Sequence, residues 1–204
     1  MNNMKTDFKT IVEIFNDNAS ARLPDLVSIR IPNAEEKLRS GLDYFVNAFS
    51  RGTVTKAEWN EHNYRPIVDW MTDNKGRGLL MLGSCGLGKT LIGKYILPYL
   101  VRYACGKIIN VFTTQELNAN PDNIMRFHLI YIDDIGTETV SSIYGNKRIP
   151  FMELCDAAEQ KGKLLLCSSN LTLSELSDKY GERTIDRLRA TTKVVPFTGK
   201  SLRK

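Results

Sequence analysis

The eight residues Gly83-Ser84-Cys85-Gly86-Leu87-Gly88-Lys89-Thr90 constrain this chain more than any other stretch. Three glycines in six positions free the backbone to turn with its N–H groups pointing inward, which makes a cradle for an anion. The context completes the pattern. The apolar run 79–82 reads as a buried strand feeding the loop, and the residues after Thr90 read as a helix whose N-terminus faces the same point. A GxxxxGK[ST] sequence between strand and helix is a Walker A loop for ATP. Lys89 reaches the β- and γ-phosphates, and the Thr90 hydroxyl coordinates Mg²⁺.

A parallel sheet follows from the pattern downstream. From Gly78 on, short apolar runs at 79–82, 107–113, 129–133, 164–168 and 193–197 alternate with helix-like stretches. That alternation predicts an α/β fold with a five-stranded parallel sheet between helices, a P-loop NTPase. Pro98 lies in the helix after the first strand and is expected to kink or split it near Leu97. Upstream, residues 1–60 read as a separate small helical region, with residues 61–204 as the ATPase core. Phe8, Ile11, Val12 and Phe15 are spaced for a short amphipathic helix. Asn33 with Glu36, and Thr55 with Glu58, have capping-box spacing ahead of two further helices.

The run Leu129-Ile130-Tyr131-Ile132-Asp133-Asp134 describes a buried strand whose end delivers carboxylates beside the loop. Asp133 is the expected Mg²⁺ ligand, directly or through water. Asp134 is placed to orient or deprotonate the attacking water, and Glu138 is a second candidate for that task. Lys89 and Asp133 stand 44 positions apart. That gap fits the class with an extra strand between the two motif strands, which hydrolyses ATP with a carboxylate-activated water. The run Leu164-Leu165-Leu166-Cys167-Ser168-Ser169-Asn170 ends in a polar cluster; Asn170 is the candidate γ-phosphate sensor, with Ser169 behind it. Arg183 and Arg187 share a helix face at i, i+4. Two readings stand for them: an exposed basic face, or an arginine reaching a neighbouring subunit's γ-phosphate.

Together GSCGLGKT, LIYIDDIGTE, LLLCSSNLT, YGERTIDRL and VVPFTGKSLR resemble the AAA+ helicase loaders of the DnaC type and the related IstB-type transposition helpers. The resemblance covers roughly residues 60–204. It implies an AAA+ core acting in DNA replication, which hydrolyses ATP, assembles head to tail and places a hexameric replicative helicase on single-stranded DNA. It also implies that Arg187 is the finger acting in trans and Arg183 a neighbouring active-site or structural arginine. The chain departs from the larger AAA+ pattern in three ways. No C-terminal lid domain is expected after the last strand, the segment 114–127 is short, and residues 1–60 lack the cysteine cluster of a zinc-binding module. Two alternatives stay open: a transposition helper, and a nucleotide-gated adaptor that does not hydrolyse.

Composition narrows the setting. No apolar run approaches a membrane span, and the first ten residues lack an apolar stretch after a basic one, so no secretory signal is expected. Cys85, Cys105, Cys155 and Cys167 are far apart, with no CxxC pair, which favours a reducing, cytoplasmic compartment. The formal net charge of +5 is concentrated at the end. Residues 179–204 carry eight basic and two acidic side chains, and residues 1–178 carry 20 and 21. A solvated tail and phosphate contact, including weak single-stranded DNA binding, both fit that excess.

Overall fold

The structure, a computed structural model, describes residues 26–137, 141–143 and 146–199. Its centre is a five-stranded parallel sheet in the order β2-β3-β6-β1-β7. The strands are β1 (Gly78–Leu82), β2 (Asn110–Thr113), β3 (Leu129–Asp133), β6 (Leu164–Ser169) and β7 (Thr192–Pro196). β6 lies between β1 and β3, pairing Leu79 with Leu166 and Ile130 with Leu165. This is the intervening strand that the motif spacing called for. A short antiparallel hairpin, β4 (Ser141–Ile143) with β5 (Asn146–Arg148), follows β3.

The strands read as unbroken apolar runs because helices cover both faces of the sheet. Side chains alternate across the pleat. Leu79, Met81, Tyr131, Leu164 and Leu166 join one core cluster. Leu80, Leu82, Ile130, Ile132, Leu165 and Cys167 join the other. The first face is covered by α1 (Ala34–Phe49), α2 (Glu61–Thr72) and the helix after the loop, which starts as a π-turn (Leu91–Ile96) and continues as α3 (Leu97–Cys105). That helix changes character at Leu97, where Pro98 takes a first-turn position that needs no N–H. The second face carries α4 (Thr114–Ala119), α5 (Pro121–Ile124), α6 (Pro150–Lys161), α7 (Leu173–Tyr180) and α8 (Glu182–Thr191). Residues 29–49 belong to the first core, since Ile29, Ile31, Leu38 and Leu42 are buried against the same cluster as Met71 and Ile96.

Both expected capping boxes are replaced by other starts. Asn33 is left-handed (φ 52°) and makes no side-chain cap, so its carbonyl alone begins α1. Thr55 and Glu58 cap no helix. α2 starts after Asn60, whose side chain accepts from Asn63 N at 3.1 Å. That start is fixed from elsewhere: Asn63 donates to Thr198 O at 2.9 Å and accepts from Thr198 N at 2.9 Å, tying α2 to the end of β7. Complete boxes form instead at Thr113/Glu116 and Thr172/Glu175. The amphipathic spacing at Phe8–Phe15, Glu138, and the last three basic residues (Lys200, Arg203 and Lys204) lie outside the described residues.

Candidate active site

The C-terminal ends of β1, β3 and β6 lie side by side and bring three polar segments together. β1 opens into the loop, where Gly83, Gly86 and Gly88 adopt φ of 139°, 81° and 90°. The first of these has a second reason to lack a side chain: a Cβ on Gly83 would sit 2.2 Å from Phe197 O. Leu87 is buried and anchors the loop, while Ser84 and Cys85 are exposed.

Lys89 is only 6% exposed. Its Nζ donates to Gly83 O at 2.6 Å, Ser84 O at 2.8 Å and Asn170 Oδ1 at 3.0 Å. Asn170 in turn donates from Nδ2 to Asp134 Oδ1 at 2.7 Å. Cation, amide and carboxylate thus form one chain across the strand ends. Asp134 stands in the left-handed region (φ 60°). Its carbonyl accepts from Thr114 Oγ1 at 3.0 Å and Thr137 Oγ1 at 2.8 Å. Ser169 is fully buried and donates to Ile135 O at 2.6 Å, so it serves the loop fold and leaves Asn170 as the polar tip of β6.

Asp133 is held by three hydroxyl donors. Its Oδ1 accepts from Thr90 Oγ1 at 3.1 Å, Tyr131 OH at 2.7 Å and Ser168 Oγ at 2.7 Å. Tyr131 OH and Ser168 Oγ, both donating to that carboxylate, stand 3.1 Å apart, and Ser168 Oγ accepts from Asp134 N at 3.1 Å. Tyr131 and Ser168 were not among the residues expected from sequence. A tyrosine in a strand reads as ordinary β-propensity, and the one signal for it is its position two residues before Asp133, on the same side of the pleat. The ring fits because the helix after the loop has glycine opposite: a Cβ on Gly93 would lie 2.2 Å from Tyr131 Cε2. Burial, followed by the nearby Asp133 charge, raises the Tyr131 pKa well above its ordinary value, so the hydroxyl stays a donor.

These groups fit ATP with Mg²⁺. The positive-φ glycines leave room for phosphate oxygens against the backbone, Lys89 supplies the cation, and the Thr90 hydroxyl and Asp133 carboxylate are hard oxygen donors. The two arginines lie elsewhere, on α8. Arg187 is 14% exposed in its side chain and donates from Nε to Glu159 Oε2 at 2.8 Å and from a second nitrogen to Asp156, both on α6. Arg183 is exposed.

No family model matches the sequence, and no curated protein does. Solved structures do. DnaI is 20% identical over 62% of this chain and 73% of its own, with a TM-score of 0.51. The DnaC helicase loader is 14% identical over 91% and 99%, with a TM-score of 0.52. AMPPCP-bound DnaA from Aquifex aeolicus is 13% identical over 69% and 48%, with a TM-score of 0.52. The fold is that of an AAA+ core. Within it the P-loop, Asp133, Asp134 and Asn170 converge on one edge of the sheet, while Arg183 and Arg187 have no hydrogen bond or ion pair to them among the described residues. No helix among the described residues is long and apolar enough to cross a membrane.

Proposed function

We propose that this chain is an ATP-hydrolysing AAA+ protein that loads a hexameric replicative helicase onto single-stranded DNA. The observation that carries the ATPase part is the Lys89–Asn170–Asp134 chain beside the Thr90–Asp133 pair. Residues 83–90 bind the phosphates, with Lys89 exchanging its carbonyl partners for phosphate oxygens. Thr90 and Asp133 hold Mg²⁺, which neutralises charge on the phosphates when bound. Asp134 orients the attacking water and accepts its proton, and Asn170 holds that carboxylate toward the loop. The helicase-loading part is supported by the fold shared with the DnaC helicase loader along nearly the whole of both chains.

Arg187 is the proposed trans arginine, completing the site of the next subunit in a head-to-tail contact that closes into a ring or an open spiral. In that role it must give up Asp156 and Glu159 on assembly. Arg183, already exposed one turn earlier, needs no such exchange and is the neighbouring candidate.

The test is Lys89→Ala. It is expected to abolish hydrolysis and weaken ATP binding, whereas Asp134→Asn keeps ATP bound and slows turnover. Wild-type turnover by Lys89→Ala would overturn the site assignment. Capture of a replicative helicase from the source cell in the presence of ATP tests the loading role, and capture of a transposase instead would refute it.

A further inference from the structure

Asp134 stands at φ 60°. A residue that carries a side chain stays in the left-handed region only where its surroundings hold it there. Here hydroxyl groups hold the residue at both ends. Its N–H donates to Ser168 Oγ at 3.1 Å. Its C=O accepts from Thr137 Oγ1 at 2.8 Å and from Thr114 Oγ1 at 3.0 Å. The next residue is tied down as well: Ile135 N donates to Ser168 O at 2.8 Å, and Ile135 O accepts from Ser169 Oγ at 2.6 Å.

Thr114 differs from these other partners in where it comes from. Ser168 and Ser169 belong to β6, and Thr137 lies three residues on in the same segment as Asp134. Thr114 is the first residue of α4, just past the end of β2, and β2 flanks β3 on the side away from β6. Thr114 is fully buried, and its hydroxyl also lies 2.8 Å from Asp133 O. One side chain therefore reaches the carbonyls of both acids at the end of β3. Its own place is fixed from both directions along the chain. Thr113 pairs with Asp133 across the β2–β3 ladder, and it forms a complete capping box with Glu116 at the start of α4. A hydroxyl set between a paired strand and a capped helix has little freedom to follow the carbonyls if they move.

The geometry assigns Thr114 as a positioning residue for Asp134. It acts through the backbone. By holding the Asp134 carbonyl it fixes the peptide that follows, while Ser168 fixes the one before. Between those two fixed planes the side chain is aimed at Asn170, whose Nδ2 donates to Asp134 Oδ1 at 2.7 Å. Without the Thr114 hydroxyl the peptide can turn toward a more relaxed conformation, and the carboxylate swings away from Asn170 and the loop. Misplacing a reacting group by about 1 Å costs on the order of 100-fold in rate. The inference rests on the proposed role of Asp134 in orienting the attacking water, and it extends the hydrolytic machinery to the junction of β2 and α4.

The experiment measures ATP turnover and, separately, ATP binding by the full chain, at a protein concentration where the wild type hydrolyses. Thr114→Val keeps the branched shape and removes the hydroxyl; kcat is expected to fall by about 10–100-fold with ATP affinity unchanged. Thr114→Ser keeps the hydroxyl and is expected to restore most of the turnover. Thr137→Val removes the other donor to the same carbonyl at an exposed position, and lowers kcat in the same direction. In the Asp134→Asn background the carboxylate is already gone, so Thr114→Val adds no further loss. Wild-type kcat in Thr114→Val overturns the proposal and leaves the role of Asp134 standing. Equal loss in the serine and valine variants overturns it too, since the hydroxyl is then not what matters. So does lost ATP affinity in Thr114→Val, or a full further loss in the Asp134→Asn background, because Thr114 then supports the fold as a whole and not Asp134. Wild-type turnover by Asp134→Asn alone is a separate failure: it removes the water-orienting role from the proposed function, and the role of Thr114 with it.

Discussion

Replacing Tyr131 with phenylalanine removes a single oxygen from the middle of the molecule. Tyr131 is fully buried, and its hydroxyl donates to Asp133 Oδ1 at 2.7 Å. The ring still fills the space opposite Gly93, so packing is nearly conserved and the change isolates the hydrogen bond. Bonds to charged groups contribute about 1.5–3 kcal/mol each. Asp133 keeps the Ser168 and Thr90 hydroxyls, so the expected loss lies toward the lower end of that range. At this chain length it lowers Tm by about 3–12 °C across the range. The functional effect is separate. A carboxylate held by one donor fewer is less well aimed, and loss of such a support costs about 10–100-fold in metal affinity or activity. Urea denaturation reads the first effect, and Mg²⁺ titration of ATP hydrolysis at fixed ATP reads the second. ATP binding measured without Mg²⁺ should stay unchanged. Ser168→Ala should be non-additive with Tyr131→Phe, because the two hydroxyls are 3.1 Å apart and share one oxygen of Asp133. Wild-type stability with an unshifted Mg²⁺ midpoint would refute the reasoning, as would strict additivity of the pair.

Gly93→Ala places a methyl 2.2–2.3 Å from Tyr131 Cε2 and Cζ; a stability loss of about 1–3 kcal/mol is expected by chemical denaturation, with a shifted Mg²⁺ midpoint as the ring carries its hydroxyl away. Arg187→Ala should lower both stability, by about 1 kcal/mol, and assembled ATPase activity, whereas Arg183→Ala leaves stability intact; thermal melts beside turnover at rising protein concentration separate the two arginines, and equal melts would sink the account of the α6 ion pairs. Alkaline pH should destabilise the fold. Burial raises the Cys155, Cys167 and Tyr131 pKa values above their unfolded ones, so these groups keep protons in the native state that the unfolded chain releases. Their stabilisation is complete below pH ~8.5; above it each thiol removes about 1.4 kcal/mol per pH unit, and Tyr131 joins above pH ~10. Denaturation series from pH 7 to 10.5 check this, and a flat profile would contradict the burial.

The sheet was legible because burial on both faces writes each strand as a continuous apolar run, and the loop was legible because glycine and lysine at fixed spacing have few other uses. The presence of a strand between β1 and β3 followed from motif spacing, and the full strand order did not. Helix starts were less readable. Asn33 with Glu36 has capping spacing, but Asn33 is left-handed, and the position of α2 is settled by Thr198, distant in sequence. The β4–β5 hairpin escaped notice because strands of three residues hold too few positions to show a period. In the site, Asp133, Asp134 and Asn170 were visible as strand-end polar residues. Tyr131 and Ser168 were hidden inside strands, where their hydroxyls look like incidental chemistry. The partners of Arg187 on α6, 28 and 31 positions away, leave no local trace at all.

The left-handed backbone at Asp134 has a consequence for how this position can vary. Glycine, asparagine and aspartate enter that conformation readily, while a longer side chain costs about 1–2 kcal/mol. Water activation, as proposed, needs a carboxylate. The residues that the backbone accepts and the residue that the chemistry requires overlap in aspartate alone. Drift to asparagine leaves the fold unharmed and the hydrolytic step disabled, so among homologues a silenced ATPase would stay well folded and keep its nucleotide. Drift to glutamate keeps the charge but must first remodel the turn from Asp133 to Thr137. The single φ of 60° therefore makes loss of hydrolysis the easiest change at this site and a switch to the longer acid the harder one.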